Sequence, residues 1–267
     1  MSKLGSLKKI IGSMPSALVA YSGGVDSTFL LKIAKDVLGD NVLAVTAVSA
    51  TYPKEELASS KKTASNLNAR HKIIRTGELD SEKFVSNPKN RCYFCKKELF
   101  EKLRGIARQN RLDFVLDASN ASDRMDVRPG SLAARELGVR SPLSEAGMTK
   151  QDIRRESRKL KLPTWDKPSL ACLASRIPYG SRISIPVLSR INEGERYLKK
   201  IGFSQVRLRH YNDMCRIEVD DRQIPMLIKK RGAIVERLKR LGYNYVTMDM
   251  EGYRTGSMNL KDNTRRG

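Results

Sequence analysis

The sequence predicts an α/β fold with a doubly wound parallel sheet, followed by a smaller α+β domain. Short apolar runs alternate with segments of helical periodicity over the first half of the chain, which is the β-α-β-α-β order of a doubly wound sheet. Four prolines then interrupt the pattern between residues 163 and 186. Different helix and strand patterns resume beyond them. We therefore expect one domain over residues 1–183 and a second, for substrate binding or oligomerisation, over residues 184–267.

The elements of the first domain follow from local patterns. Residues 16–21 (SALVAY) form a short apolar run typical of a buried parallel strand. Phe29, Ile33 and Val37 then share one helical stripe. Thr149, with Asp152 three residues later, resembles a capping box. By such reasoning we expect strands at 16–21, 41–48, 71–75 and 114–116, and helices at 26–38, 54–68, 97–110 and 149–160.

The second domain has fewer expected elements. Helical spacing covers residues 187–201 and 224–241, and strand patterns cover 205–210, 215–219 and 244–250. The first two strands are close enough in sequence to pair antiparallel. With the flanking helices they predict a small α+β domain.

The composition argues against some classes of protein. The chain has no apolar run of about 18 residues and no long apolar core at its N-terminus, so we expect a cytoplasmic protein without a membrane span. Two histidines give little support to a Ser-His-Asp triad or a multi-histidine zinc site. The net charge of +22 fits binding of RNA or another polyanion, and it also fits a solvated surface suited to small anions.

The strongest motif is the segment SGGVDST, which lies between an expected strand and an expected helix. Paired glycines let the backbone approach a ligand, and the helix start supplies unbonded N–H groups, so the segment can bind an anion. It matches neither the Walker A pattern nor GxGxxG. A simple serine-glycine turn that caps the helix is the alternative. The expected phosphate contacts are Ser22, Gly23, Gly24, Asp26, Ser27 and Thr28.

A second polar segment follows the expected strand at 114–116. Residues 117–130 are rich in Asp, Ser and Asn, and we expect Asn120 and Arg128 to lie near the anion bound by the first motif. A polar loop could have this composition by chance, so the segment supports the first motif without standing alone.

The four cysteines divide into two kinds. Cys215 lies in an alternating strand pattern, which predicts a buried structural thiol. Cys92 and Cys95 form a CxxC, and Cys172 lies in the proline-rich stretch. Three thiolates can hold a 4Fe-4S cluster with one iron open to an extra ligand. Persulfide or disulfide redox chemistry and a zinc site are the alternatives.

The string SGGVDST resembles the PP-loop of the ATP pyrophosphatases. In that family the loop holds the β,γ-diphosphate of ATP, and attack at the α-phosphorus gives AMP and pyrophosphate. Residues 118 and 119, Ala-Ser, depart from the D-G-T-N form that family members often show in the second polar segment. From Ser22 to Tyr253 the chain is similar to LarE-type sulfur transferases. The shared motifs are residues 128–130 (RPG), 175–180 (SRIPYG), 202–209 (GFSQVRLR) and 212–218 (NDMCRIE).

The LarE-type resemblance implies a substrate and a reaction. The substrate would be pyridinium-3,5-biscarboxylic acid mononucleotide, and the thiocarboxylated product is a precursor of the nickel-pincer nucleotide of lactate racemase. ATP, with Mg²⁺, would adenylylate the carboxylate before sulfur replaces oxygen, and Asp26 would act in catalysis. The family also suggests a homo-oligomer.

The resemblance bears on the sulfur source as well. Some members sacrifice a cysteine in the segment before S-R-x-P-Y-G, and Ala171 stands at that position here. Cys92, Cys95 and Cys172 instead match the members that carry a 4Fe-4S cluster. We therefore expect these three cysteines to be both metal ligands and catalytic, with sulfide as the donor.

The substrate requires groups that hold phosphate or carboxylate. Arg176, Arg207 and Arg209 could do so through paired N–H groups, although a solvated surface role is the alternative for each. Ser175 and Glu195 match family site positions, as does Arg128.

Three rival functions remain at this stage. A cluster-dependent tRNA thiolase of the PP-loop class would explain the positive charge. An amide-forming ligase of the same ATP class would not need three cysteines. A nucleotide-binding module without catalytic activity would not turn over ATP.

Overall fold

The computed structural model describes residues 2–125, 129–168, 171–254 and 256–258. The chain divides into two compact units, Met1–Phe84 with Pro88–Leu170 and Val85–Asn87 with Ala171–Gly267. Residues 171–183, which the sequence analysis assigned to the first domain, therefore belong to the second unit. A contact within that unit gives the reason: the side-chain amide of Asn87 donates to the carbonyls of Pro178 (2.7 Å) and Ser181 (2.9 Å).

A four-stranded parallel sheet organises the first unit. Its strands are β1 (Ala17–Ala20), β2 (Val42–Val48), β3 (Arg70–Arg75) and β4 (Phe114–Leu116). Their order across the sheet is β3-β2-β1-β4, and every pair is parallel. Because β1 lies between β2 and β4, the loop that leaves its carboxyl end lies at the middle of the sheet edge. The predicted α/β class is confirmed.

Helices cover both faces of this sheet. They are α1 (Lys3–Gly12), α2 (Val25–Leu38), α3 (Lys54–Asn66), α4 (Glu82–Val85), α5 (Arg91–Gln109), α6 (Pro129–Glu136), α7 (Pro142–Glu145) and α8 (Lys150–Lys159). Ala17 and Val19 face one apolar cluster with α1, α2 and α8, whereas Leu18 faces another with α5 and α6. This alternation along β1 is the strand period of two, and it explains why the strand is apolar throughout.

The helix predicted at 97–110 begins six residues earlier than expected. Helix α5 starts at Arg91, whose side chain is buried and whose N–H bonds to the carbonyl of Pro88. The first turn of α5 therefore contains the CxxC segment, which the sequence analysis had placed before the helix. Four helices, α1, α4, α6 and α7, were not predicted, and α4 and α7 are single turns that are too short to show a helical period. The capping box of α8 is confirmed, with Thr149 and Asp152 bonded in both directions.

The second unit contains a three-stranded mixed sheet. Strands β5 (Val206–Tyr211) and β6 (Met214–Val219) pair antiparallel, as predicted, and β7 (Tyr245–Met248) pairs parallel to β6. The order is β5-β6-β7. Helices α9 (Ile185–Lys200), α10 (Ile224–Lys229) and α11 (Arg231–Arg240) accompany the sheet. Leu198, Phe203, Leu208, Ile217 and Leu238 lie at the centre of the core of this unit.

The single helix predicted at 224–241 is two helices. Lys230 leaves helical geometry (φ −92°, ψ 9°), and its ammonium donates to the carbonyl of Ile201 at 2.5 Å. A tertiary contact with the end of α9 thus replaces the continuous helix that the periodicity favoured. Within the described part of the chain, no helix has the length and apolar composition needed to cross a membrane.

Candidate functional site

The SGGVDST segment is the turn from β1 into α2. Gly24 is the residue before the helix and has extended geometry (φ −80°, ψ 172°), and no side chain of the described residues caps this end. The first N–H groups of α2 therefore point out of the carboxyl edge of the sheet without a capping oxygen. That arrangement, with the positive end of the helix dipole, is suited to an anion.

Gly23 is a position where only glycine fits. Its φ is +70°, and a Cβ built there would lie 2.7 Å from the Cβ of Ser60 in α3. The loop therefore lies directly against the backbone of α3. This explains the paired glycines as a packing requirement and not only as a source of flexibility.

The hydroxyl groups of the loop bond mainly to the loop itself. Ser27 Oγ donates to the carbonyl of Gly24 (3.2 Å) and lies 3.0 Å from Ser22 Oγ, and it accepts from the N–H of Ser22 at 3.2 Å. Ser27 and Thr28 are both buried. These bonds hold the shape of the loop, and the N–H groups of the first turn of α2 remain as donors for an anion.

An ion pair joins the loop to the start of α8. The ammonium of Lys150 pairs with one carboxylate oxygen of Asp26. The other oxygen, Oδ1, is buried and accepts no hydrogen bond from any residue that the structure describes. Burial raises the pKa of Asp26, and the neighbouring Lys150 only partly opposes the effect. An unbonded carboxylate oxygen beside an anion site is the kind of ligand that a hard cation such as Mg²⁺ takes.

Two further side chains reach the loop from distant parts of the sequence. Lys167 Nζ donates to the carbonyl of Gly23 at 3.2 Å and pairs with Glu56 at 2.6 Å. Tyr52 donates its hydroxyl to the carbonyl of Ser22 at 2.8 Å, and burial raises its pKa to about 12. No local pattern indicates these residues or Lys150 as neighbours of the loop. Tyr52 and Lys167 lie outside any recognised motif, and the capping box that contains Lys150 has no relation to Asp26, so only the tertiary structure identifies them.

The second polar segment lies at the same end of the sheet. Asp117, at the end of β4, accepts from the hydroxyls of Ser119 (2.6 Å) and Ser141 (2.5 Å). Asn120 is buried, and its Oδ1 accepts from the N–H of Ser122 at 2.9 Å. The N–H of Lys150 in turn donates to Ser122 Oγ at 3.1 Å, so this loop and the start of α8 are held together. Arg128 lies outside the described residues.

The cysteines differ in environment. Cys92 and Cys95 lie in the first turn of α5, three residues apart and so on one face of the helix. Cys92 is exposed and Cys95 is partly exposed, while Cys172 is exposed in the second unit, just before a short 3₁₀ helix. Cys215 is buried as predicted, and burial raises its pKa to about 12.

All four cysteines lie among the described residues, and no disulfide joins them. Across the described ranges, no three His, Cys, Asp or Glu side chains are gathered closely enough to hold a metal ion. Thiols outside disulfides are nevertheless the donors that an iron–sulfur cluster takes, and two of them are already one helical turn apart. The chemistry of the donor set fits a three-thiolate cluster, which stays a prediction.

Four of the five predicted substrate residues are buried in the second unit, and the fifth, Ser175, is partly exposed. Arg176 forms a two-pronged ion pair with Glu195, with Nε–Oε1 at 2.8 Å and Nη2–Oε2 at 3.0 Å. The N–H of Leu208 in β5 also donates to Glu195 at 3.1 Å. Burial alone would raise the pKa of Glu195, but Arg176, and after it Arg207, lower it below its usual range. Glu195 is therefore held as a carboxylate.

Arg207 and Arg209 share one face of β5 because they are two residues apart. Arg209 donates to Glu218 at 2.6 Å and to the carbonyl of Ser175 at 3.2 Å. Arg207 lies over the ring of Tyr253, with the guanidinium carbon 5.1 Å from the ring centre. Arg176, Arg207 and Arg209 are all less than 10% exposed, so none has the solvated surface role that the sequence left open. Substrate binding by them stays a prediction.

The fold and the turn after β1 define the class of protein. It is a doubly wound α/β protein in which the loop after β1, at the carboxyl edge of the sheet, is suited to binding an anion. The chain is 42% identical over 260 residues to an uncharacterised protein of Synechocystis, covering 97% of each chain. It is 36% identical over 259 residues to the pyridinium-3,5-bisthiocarboxylic acid mononucleotide synthase of Lactiplantibacillus plantarum, covering 97% of this chain and 94% of that protein. An uncharacterised protein of Methanocaldococcus jannaschii is 28% identical over 238 residues, covering 89% of this chain and 90% of that protein.

The chain thus belongs to the family of pyridinium-3,5-bisthiocarboxylic acid mononucleotide synthase, the LarE-type family. No profile of a protein family matches the sequence.

The contact between Gly23 and Ser60 predicts a measurable loss of stability. Gly23→Ala should lower the free energy of unfolding by about 2–4 kcal/mol, because the positive φ and the close approach to α3 both oppose a side chain. Gly138→Ala is the control: its φ is +66°, and no atom of the described residues lies within 4 Å of the added Cβ. It should cost only about 1–2 kcal/mol. Urea denaturation of both variants makes the comparison, and equal losses would show that the Ser60 contact contributes nothing.

The raised pKa of Asp26 predicts a variant that is more stable than the parent. A carboxyl group with a folded pKa above its ordinary value of 3.8 loses its favourable contribution as the pH rises through that folded pKa. Asp26→Asn should therefore raise Tm at pH 7, with the gain shrinking towards pH 3. Asp36→Asn, which breaks an exposed pair with Lys32 on the same helix, should not raise it. A lower Tm for Asp26→Asn at pH 7 would mean that the pair with Lys150 dominates.

Proposed function

We propose that the protein is an ATP-dependent sulfur transferase that adenylylates a carboxylate of pyridinium-3,5-biscarboxylic acid mononucleotide and replaces oxygen with sulfur. The observation that carries the proposal is similarity over 97% of the chain to a protein named as a bisthiocarboxylic acid mononucleotide synthase. The preformed loop after β1 supports the ATP half of the reaction. Products in this scheme are a thiocarboxylate, AMP and pyrophosphate.

The nucleotide half would use the first unit. The N–H groups at the start of α2 would bind the β,γ-diphosphate, since they face the sheet edge where ligands of doubly wound folds bind. Lys150 and Lys167 lie against the loop, and each could exchange its carboxylate partner for a phosphate oxygen. Mg²⁺ would neutralise phosphate charge when bound, and Asp26 Oδ1 is the oxygen that fits it.

The chemistry follows from the poor leaving ability of a carboxylate oxygen. A substrate carboxylate oxygen would attack the α-phosphorus of ATP, and the bond to pyrophosphate would break, giving an acyl-adenylate. A sulfide nucleophile would then attack the acyl carbon, and AMP would leave with the original carboxylate oxygen. Fixed positive charge and N–H groups around the phosphates would stabilise the charge that develops in the first step.

The sulfur half would use the cysteines. Cys92, Cys95 and Cys172 would hold a 4Fe-4S cluster, which when bound would supply an open iron for the sulfide that is transferred. Cys215 is excluded from this role by its burial in β6. In the second unit, Arg207 and Arg209 would recognise the phosphate and carboxylate of the substrate, and Ser175, Arg176 and Glu195 lie around them.

A reconstituted reaction tests the proposal. In the presence of Mg²⁺, the full chain purified anaerobically should release pyrophosphate from ATP only when the dicarboxylate mononucleotide is also present. When sulfide is added, the mass of the mononucleotide product should increase by the difference between one sulfur and one oxygen atom. Lys150→Met should lower the rate by about 10²–10³-fold, as for loss of one group that stabilises the transition state. Lys159→Met is the matched control on the same helix, because Lys159 is exposed and pairs only at the surface with Glu156.

Other outcomes of this reaction would point to other functions. Thiolation of tRNA but not of the mononucleotide, with an affinity that falls steeply with salt, would identify the tRNA thiolase that the charge of +22 favours. Amide formation that survives substitution of Cys92, Cys95 and Cys172 would identify a ligase. Binding of ATP without pyrophosphate release would identify a binding module.

Iron content tests the cysteine assignment separately. Cys92→Ala, Cys95→Ala and Cys172→Ala should each remove iron and acid-labile sulfide from the anaerobically purified chain, because three thiolates are needed for an open cluster. Cys215→Ala is the control and should keep both. A parent chain that transfers sulfur with neither iron nor labile sulfide would contradict the cluster assignment but not the sulfur transfer.

A further inference from the structure

The segment that carries Cys172 has little regular structure of its own. Cys172 is extended (φ −50°, ψ 138°) and precedes the 3₁₀ helix Leu173–Arg176. Its side chain is exposed. The bonds that hold the backbone around Cys172 therefore contribute to where its sulfur lies.

One guanidinium group holds that backbone. Arg176 Nη1 donates to the carbonyl of Ala171 at 2.8 Å and lies 3.1 Å from the carbonyl of Cys172, and it also donates to Ser175 Oγ at 3.0 Å. Backbone carbonyls outside helices and strands need such partners when they are removed from water. Bonds from a charged donor are among the stronger ones in proteins.

The same guanidinium is fixed on its other side. Nε and Nη2 bind the two oxygens of Glu195 in α9, and Glu195 also accepts from the N–H of Leu208 in β5. Arg176 and Glu195 are 3% and 4% exposed. The ion pair thus connects α9 and β5 to the backbone carbonyls of Ala171 and Cys172.

We propose that Arg176 and Glu195 are positioning residues for Cys172 and not ligands of the substrate. All three nitrogens of the Arg176 guanidinium already donate to protein oxygens, and its charge is neutralised by Glu195, so little remains to attract an anion. Lysine could not replace arginine here, because a single ammonium cannot bind both carboxylate oxygens and the carbonyls in one plane. The inference rests on the proposed function only in giving Cys172 a part in sulfur transfer.

Amide hydrogen exchange tests the positioning directly. The N–H of Ser175 bonds to the carbonyl of Cys172 at 2.9 Å, and the N–H of Ile177 bonds to that of Ala174 at 3.2 Å. In Arg176→Lys these two amides should exchange about 10-fold faster or more, as expected for loss of bonds to a charged donor.

Two controls accompany this measurement. Amides of the β5–β6 hairpin, such as Ile217, should keep their exchange rates in Arg176→Lys. Arg222→Gln, which breaks an exposed Arg–Asp pair in the same unit, should change neither set.

A second variant keeps the test decisive if Arg176→Lys does not fold. A buried ion pair can often be replaced by apolar residues of similar volume without loss of stability. The double variant Arg176→Met, Glu195→Leu should therefore fold, with fast exchange at Ser175 and Ile177 and an intact β5–β6 hairpin. Uniformly faster exchange throughout the unit would show that the pair is merely structural and would overturn the proposal.

Steady-state kinetics supply an independent result. Loss of positioning should lower kcat for sulfur transfer by about 10-fold or more while KM for the mononucleotide stays near that of the parent chain. A raised KM with kcat unchanged, together with unchanged exchange at Ser175, would show that Arg176 binds substrate. If no variant and no parent chain transfers sulfur, the proposed function fails while the exchange result still decides the role of Arg176.

Discussion

The pairing of β1 with two parallel neighbours is the constraint on which the first unit depends. Ala17 pairs with Val42 on one side and with Phe114 on the other, so the three strands end at a common edge. The turn after β1, the polar loop after β4 and the start of α8 can then meet. Without that alignment the seven residues of the SGGVDST motif would still form a turn, but Lys150 would have no carboxylate to pair with.

Charge around both sites is compensated within the protein. Lys150 pairs with Asp26 and Lys167 with Glu56, while Arg176 pairs with Glu195. The net charge of +22 is therefore not a measure of the positive charge available at the sites. An anion that binds at the turn after β1 can use the N–H groups at the start of α2 directly. It gains Lys150 or Lys167 only by displacing the carboxylate that each already pairs with.

The sequence was sufficient where a residue pattern repeats locally. The alternation of apolar strands and helices predicted the doubly wound sheet, and the glycine pair with its flanking hydroxyls predicted the turn that faces the sheet edge. The capping box predicted the start of α8. In each case the residues that form one element or one turn lie within a few positions of one another, so the local pattern indicates that element, and the strand–helix alternation then indicates the sheet.

Contacts between distant segments could not be predicted in this way. Lys167 is 144 positions from Gly23, and Lys150 is 124 positions from Asp26, so no local spacing indicates either contact. The sequence analysis named Arg176 and Glu195 as candidate substrate-binding residues, but no local spacing indicates that they bind each other. The early start of α5 has a different cause, because a buried arginine and a local bond to Pro88 decide it and no apolar period does.

The hairpin of the second unit has a consequence for insertions and deletions. Leu208 faces the apolar core, and Arg207 and Arg209 face the opposite side, which is also buried. A slip of one residue along β6 would turn both guanidinium groups into the hydrocarbon interior and Leu208 towards carboxylates. The two-residue bend at Asn212, with its φ of +55°, fixes the register. The number of residues in that bend is consequently more important than their identity. Adding one residue to it would disturb the apolar core and the face of β5 that carries Arg207 and Arg209 at the same time.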